Sequence, residues 1–161
     1  MPETVPQLHT IGHSNHTAAG FLHLLQLHHI SCLADVRSAP YSRYNPQFNR
    51  EALAALLAQN NISYIWLGNG LGGRRRAEGN YLYDDLFTRD LHTLLDTAAT
   101  QRTAMMCSEE DPRHCHRHHI ICRSLLGNDA PAATVQLVHI RGNGTTEPAT
   151  GIISVHQQRL F

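Results

Sequence analysis

The stretch Thr103-Ala104-Met105-Met106-Cys107-Ser108-Glu109-Glu110-Asp111-Pro112 reads as a short apolar strand that ends in polar residues and turns into a helix start. Asp111 is suited to accept the free amides of a first helical turn, and Pro112 fits the first helical position because its missing N–H costs nothing there. The helix is expected to run to about Leu126 and to stop at Gly127, which can adopt the left-handed conformation of a helix end. The same unit recurs upstream. Leu8 to Gly12 is a strand, and Thr17 caps a helix with Ala18, Phe21, Leu22 and Leu25 at helical spacing. Cys32 to Val36 is a second strand, followed by a polar, aromatic loop from Arg37 to Phe48. Asn49 then caps a helix carrying Leu53, Leu56 and Leu57, and Ser63 to Leu67 is a third strand. A glycine-rich loop from Gly68 to Gly79 precedes a helical pattern from Tyr83 to Ala99, which leads into the quoted strand. Thr134 to Ile140 supplies a fifth strand, and the tail from Gly142 holds one more short strand near Ile152 to Val155.

Alternation of this kind predicts an α/β protein. The expected form is a doubly wound, mostly parallel five-stranded sheet with helices on both faces, Rossmann-like, in the order 3-2-1-4-5. With 161 residues the chain is read as a single domain over 1–161, with its core at about 8–141 and a tail at 142–161. A composition of 42% hydrophobic and 16% charged residues argues against a disordered chain. The longest apolar run, Ala52 to Ala58, is far short of the roughly 18 residues of a membrane span. The start Met1-Pro2-Glu3 lacks a basic or apolar leader, so the expected location is the cytoplasm.

Thirteen cationic residues balance thirteen acidic ones, and every cation is arginine. The lack of lysine excludes a Schiff-base amine, a phosphate-loop lysine and any lyase step that needs an internal amine. Acid–base, thiolate and metal chemistry are left. Thirteen histidines make the chain more positive as pH falls toward about 6. A neutral total predicts no nucleic-acid partner by itself, but Arg74, Arg75 and Arg76 form a local basic patch.

In doubly wound folds ligands sit beyond the carboxyl ends of the strands, near the point where strand order reverses, here expected between the first and fourth strands. Those ends carry Gly12, His13 and Ser14, then Asp35, Val36 and Arg37, then Leu67 and Gly68, and finally Cys107, Ser108 and Glu109. The following helix start adds His114, Cys115, His116 and Arg117. Polar and reactive groups from separate strands would thus meet in one crevice.

Several chemistries compete for it. Cys107 and Arg113 match a Cys-x5-Arg phosphatase loop, but Glu109, Glu110 and Asp111 between them would repel a phosphate and raise the cysteine pKa, so the spacing is read as coincidence. Cys115, His119 and Cys122 fall on one helical face and His114 with His118 on another, which suits a metal; equally, the cysteines would line the buried stripe of an amphipathic helix. No pair of the four cysteines is two residues apart, and a disulfide framework is not expected. No cofactor is predicted, with a metal kept only as an alternative. The carboxylates Asp35 and Glu109 can stabilise a cationic sugar or orient water, although Asp35 could equally pair with Arg37 or Arg117. Tyr41, Tyr44 and Phe48 offer stacking surfaces, and Arg37, Arg43 and Arg74 to Arg76 offer phosphate contacts.

The ordered set Thr10-Ile11-Gly12-His13-Ser14, Asp35-Val36-Arg37-Ser38, Asn45-Pro46-Gln47-Phe48-Asn49 and Cys107-Ser108-Glu109 before His114-Cys115-His116-Arg117 resembles the bacterial domain-of-unknown-function 488 family. The resemblance covers about Leu8 to Leu126; His118, His119 and the triple arginine do not belong to its pattern. It implies a small cytoplasmic α/β protein, with links in some members to DNA processing that include removal of methylated adenine by a glycosylase. Family and residues together lead to a nucleic-acid-processing hydrolase with DNA as partner. Its most concrete form is a monofunctional DNA N-glycosylase that releases a methylated purine. Asp35 or Glu109 would be its catalytic carboxylate and His13 a proton donor or positioning group. Arg37 and Arg117 would clamp anions; Ser14, Tyr41, Tyr44, Phe48, Cys107 and His116 would contact substrate; and Arg43, Arg74, Arg75 and Arg76 would hold the nucleic-acid backbone. The alternatives are a non-catalytic nucleotide- or anion-binding module and a metal-dependent hydrolase.

Overall fold

The computed structural model describes residues 6–126 and 135–149. The expected helix stop at Gly127, the first residue of the Thr134 strand and the strand at Ile152 to Val155 lie outside them. In chain order the strands are β1 (Gln7–Gly12), β2 (Cys32–Asp35), β3 (Ser63–Trp66), β4 (Arg76–Ala77), β5 (Asn80–Tyr81), β6 (Thr103–Cys107), β7 (Gln136–Ile140) and β8 (Thr146–Pro148). The helices are α1 (Ala18–Leu27), α2 (Arg50–Gln59), α3 (Gly68–Leu71), α4 (Asp85–Thr100) and α5 (Arg123–Leu126). Thr17 caps α1 through Gly20 N at 3.0 Å, as its spacing predicts. Asn49 precedes α2 but turns its side chain back to Ser42 N, and α4 takes its cap from Asp84.

The chain forms the expected α/β sandwich. Its main sheet has six strands in the order β3-β2-β6-β1-β7-β8, parallel except for the last. The strand order differs from 3-2-1-4-5, because β6 lies between β1 and β2. A right-handed crossover fixes the face of each helix by the direction in which the chain travels across the sheet. From β1 to β3 it travels one way, and from β3 to β7 it returns. Accordingly Phe21, Leu24 and Leu25 of α1 pack with Leu53 and Leu57 of α2 against Leu33, Ala104 and Met106 on one face. Leu91, Leu94 and Ala98 of α4 pack with Ile121 and Leu125 against Ala34, Met105 and Leu137 on the other. Successive β6 residues thus serve opposite cores, the period-two alternation of a strand buried on both sides.

Three segments depart from their expected form. The tail adds β8 as an antiparallel sixth strand to the five expected, because the turn after β7 folds it back onto that edge. The glycine-rich loop contains α3 and the β4–β5 hairpin, whose two turn residues Glu78 and Gly79 both have positive φ, at 53° and 80°. The single helix expected from Pro112 to Leu126 is a 3₁₀ turn at Pro112–His114, an extended Cys115, a π-helical stretch Arg117–Cys122 and then α5. Contacts of Cys115 and Arg117 with the end of β6 hold this segment out of a regular helix. No helix among the described residues is long and apolar enough to cross a membrane.

Candidate functional site

The connection that leaves β6 goes to one face of the sheet, whereas those leaving its neighbours β1 and β2 go to the other. The carboxyl end of β6 is therefore left uncovered. A crevice of about 220 Å³ opens there, lined by Arg37, Ser38 and Arg74 on one side and by Cys107, Ser108, Glu109, His114, Cys115 and His116 on the other. It lies toward β2 rather than between β1 and β6 as the expected order implied, because β6 itself borders β2.

The Cys107–Glu110 loop is fixed from below. His13 N donates to Cys107 O and Ser14 N to Ser108 O, both at 2.9 Å, extending the β1–β6 pairing past the strands. A Cβ at Gly12 would overlap the Glu109 carbonyl, so only glycine lets the loop fold over the end of β1. Arg117, fully buried, donates Nε to Thr10 Oγ1 at 3.0 Å, Nη1 to Cys107 Sγ at 2.8 Å and to Glu109 O, and Nη2 to Glu110 O at 2.9 Å. Burial lowers its pKa to about 10, which leaves it charged at neutral pH. Every nitrogen of the guanidinium is engaged in holding the loop, so the expected anion clamp faces inward. Cys107, whose sulfur accepts one of these bonds, is itself joined to Cys115 as a disulfide, where the sequence led us to expect none. The other two cysteines, Cys32 and Cys122, are free and buried.

Asp35 is also fully buried. Its oxygens accept Arg37 N at 3.1 Å, Arg37 Nε at 2.9 Å, Arg37 Nη2 at 2.8 Å and Tyr64 Oη at 2.6 Å. Burial and the adjoining carboxylate push the Tyr64 hydroxyl pKa upward, keeping it a proton donor. The carboxylate is thus turned into the protein and has the ion-pair role that the sequence left open. Arg37 also gives Nη2 to Phe48 O at 2.8 Å, yet its Nη1 is buried without a hydrogen-bond partner. His13 Nε2 is likewise buried and unpartnered. The His13 ring lies 4.5 Å from that of Phe48 in a stacked arrangement, and burial holds its pKa below the ordinary histidine value. Phe48 is fully buried between α1 and α2, so it is core and offers no stacking surface to a ligand. Tyr41 and Tyr44, 56% and 86% exposed, do stand free of the core; Tyr41 bonds Glu51, and Arg43 lies over the Tyr44 ring.

Glu109 is exposed, and its carboxylate makes no hydrogen bond or ion pair with the described residues. It is the one acidic side chain among those lining the crevice. Ser14 has φ 47° at the turn after β1 and directs its hydroxyl at Asn15, away from the lining residues. His116 bonds Val36 O through Nε2 at 3.1 Å, with Nδ1 facing Cys115 Sγ at 3.7 Å. The triple arginine divides. Arg74 lines the crevice, and its backbone N donates to Ser38 Oγ at 3.0 Å. Arg75 turns inward to Gly70 O, Leu82 O and a two-pronged ion pair with Asp84. Arg76 sits exposed on the hairpin. Arg113, the second half of the phosphatase-like spacing, pairs with Asp111 and is absent from the lining. The set Cys115, His119 and Cys122 does not assemble. Among the described residues, the three candidate ligands that do come together are Cys107, Cys115 and His116. The sequence assigns no site role to Ser38, although it follows Asp35-Val36-Arg37 directly, and places Tyr64 as a core residue of its strand with no signal for its bond to Asp35.

A family model described as domain of unknown function DUF488 matches residues 17–123. No curated protein and no solved structure matches the chain.

Proposed function

The chain belongs to the DUF488 family, and from that premise we propose that its crevice is the active site of a nucleic-acid-processing hydrolase, in its most concrete form a monofunctional DNA N-glycosylase for a methylated purine. The observation that carries this reading is the unpaired carboxylate of Glu109 on the crevice wall. As the C1′–N bond breaks, the sugar gains positive charge and the base leaves with the bonding electrons. A carboxylate at this point stabilises the cation and takes a proton from the attacking water, and that proton passes to the departed base nitrogen, so that neutral base and an abasic sugar hydroxyl result. Arg74, on the crevice wall, is suited to a flanking phosphate, and exposed Tyr41 and Tyr44 to stacking on bases. Without a lysine no lysine Schiff base forms with the sugar, so a reaction that only hydrolyses the base leaves the strand abasic and uncut. The test is to incubate the protein and Glu109→Gln with adenine-methylated DNA and to follow free base by mass spectrometry. Release by the parent alone supports the reading; no release from a panel of methylated bases overturns it.

A second reading, a non-catalytic anion- or nucleotide-binding module, is favoured in its anion form by the small size of the crevice and by Arg74 on its wall. Its volume of about 220 Å³ lies below the roughly 300–1,000 Å³ of ordinary ligand pockets. Tight binding of a nucleotide without turnover would decide for it.

A further inference from the structure

The mechanism above uses neither Cys107 nor Cys115, yet both sulfurs lie at the crevice with the His116 ring. Cys107 Sγ, Cys115 Sγ and a His116 ring nitrogen all fall within 4.8 Å of one another. We propose that the reduced Cys107–Cys115 pair, with His116 Nδ1, binds a thiophilic divalent cation of the zinc class.

Three features support a ligand set rather than a chance cluster. His116 Nε2 lies 3.1 Å from the Val36 carbonyl, to which it can donate, while Nδ1 lies 3.7 Å from Cys115 Sγ. A backbone carbonyl on the far ring nitrogen is the usual partner of a metal-binding histidine. Each sulfur also has an N–H donor suited to a thiolate: Arg117 Nη1 on Cys107 at 2.8 Å and Arg117 N on Cys115 at 3.5 Å. Finally, the three ligands come from two elements, the end of β6 and the turn before the π-helical stretch, so the folded chain sets their relative position. A Cys₂His set leaves a fourth tetrahedral position for water or a ligand atom, and all three ligands line the crevice together with Ser108 and Glu109.

The disulfide and the metal are alternative states of the same sulfurs. A dithiol or phosphine reductant supplies two electrons and two protons come from solvent, so the S–S bond becomes two thiols and the reductant is oxidised. Metal binding then releases those two protons to solvent as the thiolates ligate the cation.

The site does not depend on the proposed reaction, and its test reads metal rather than turnover. The full chain is reduced with a phosphine under argon, stripped with chelator, exchanged into chelator-free buffer and titrated with Co²⁺. One equivalent bound, with thiolate-to-cobalt charge-transfer absorption in the near ultraviolet and displacement by Zn²⁺, is the expected result. The protein with its disulfide intact should bind at least about tenfold more weakly. Cys115→Ser should lose most of the charge-transfer band, and His116→Ala should weaken binding at least about tenfold; circular dichroism verifies that each variant is folded. Folded, reduced protein that binds no cobalt overturns the proposal. So do variants that bind as tightly as the parent, and so does equal binding by the disulfide form.

Discussion

Asp35 and Arg37, on the same side of the chain at the end of β2, hold each other through two parallel hydrogen bonds, Nε to Oδ1 at 2.9 Å and Nη2 to Oδ2 at 2.8 Å, with both side chains buried. Removing one partner of such a pair strands the other charge in the protein. Asp35→Ala should therefore lose about 3–5 kcal/mol of stability, read as a lowered urea midpoint. A variant of unchanged midpoint would show that Asp35 is free to act on a ligand.

Glu109→Gln should behave in the opposite way. Its side chain is exposed and unpaired, so stability should stay within about 0.5 kcal/mol of the parent. Base release should fall by a factor of about 10²–10⁴, the range for loss of a positioned acid–base group. Release that survives the substitution moves the reacting carboxylate elsewhere.

The three consecutive arginines should separate by experiment. Arg74→Ala should reduce the slope of log affinity for duplex DNA against log salt by about 0.9, the value of one phosphate contact. Arg75→Ala breaks bonds to Gly70 O, Leu82 O and Asp84 and should cost about 1–3 kcal/mol of stability instead. Equal effects of the two on the salt slope would contradict the division.

Acid should destabilise the protein before its carboxylates titrate. Burial lowers the pKa of His9 from 6.5 to about 4, and it also lowers those of His13 and His116. The unfolded chain then binds protons that the folded one refuses, so unfolding free energy rises with pH across that interval. For His9 the stabilisation is complete above pH 6.5 and is lost progressively as pH falls toward about 4. Melting temperatures measured across this range should decline, and His9→Gln should flatten the decline.

Arg117→Lys should not rescue the loop that it holds. One ammonium cannot reach Thr10, Cys107, Glu109 and Glu110 together as the planar guanidinium does. Faster amide exchange of Ser14 N, which bonds Ser108 O, would report the loosening; parent-like protection would refute it.

Much of the framework was legible in the chain. The bounds of β1, β2, β3, β6 and β7 lie within a residue or two of those expected, because apolar runs bounded by cap residues and glycines are local signals, as at Thr17 and Thr103–Cys107, whereas the short β4, β5 and β8 carry no such run. The order of strands was not legible. The orders 3-2-1-4-5 and 3-2-4-1-5 send the chain across the sheet in the same directions, so the crossover rule admits both. β1, β2 and β6 are also too uniformly buried to rank by exposure. At the site, residue types marked the right strand ends but not which way the side chains pointed. Phe48 looked like a stacking surface within a polar loop and is core; Asp35 looked available and is held by Tyr64, a partner 29 residues away. The cysteines 107 and 115 were judged on sequence spacing, whereas a doubled-back loop brings them together.

The pairing of β1 also governs how the protein can be made. Its neighbours are β6 and β7, so that Leu8 lies opposite Thr103 on one side and Leu137 on the other. During synthesis from the amino terminus β1 has neither neighbour until Thr103–Cys107 has been made, and one of its edges stays open until Gln136–Ile140 follows. Pairings this distant in sequence form slowly. A halted chain that ends before Thr103 presents β1 with neither neighbour, a strand edge open to association with other chains.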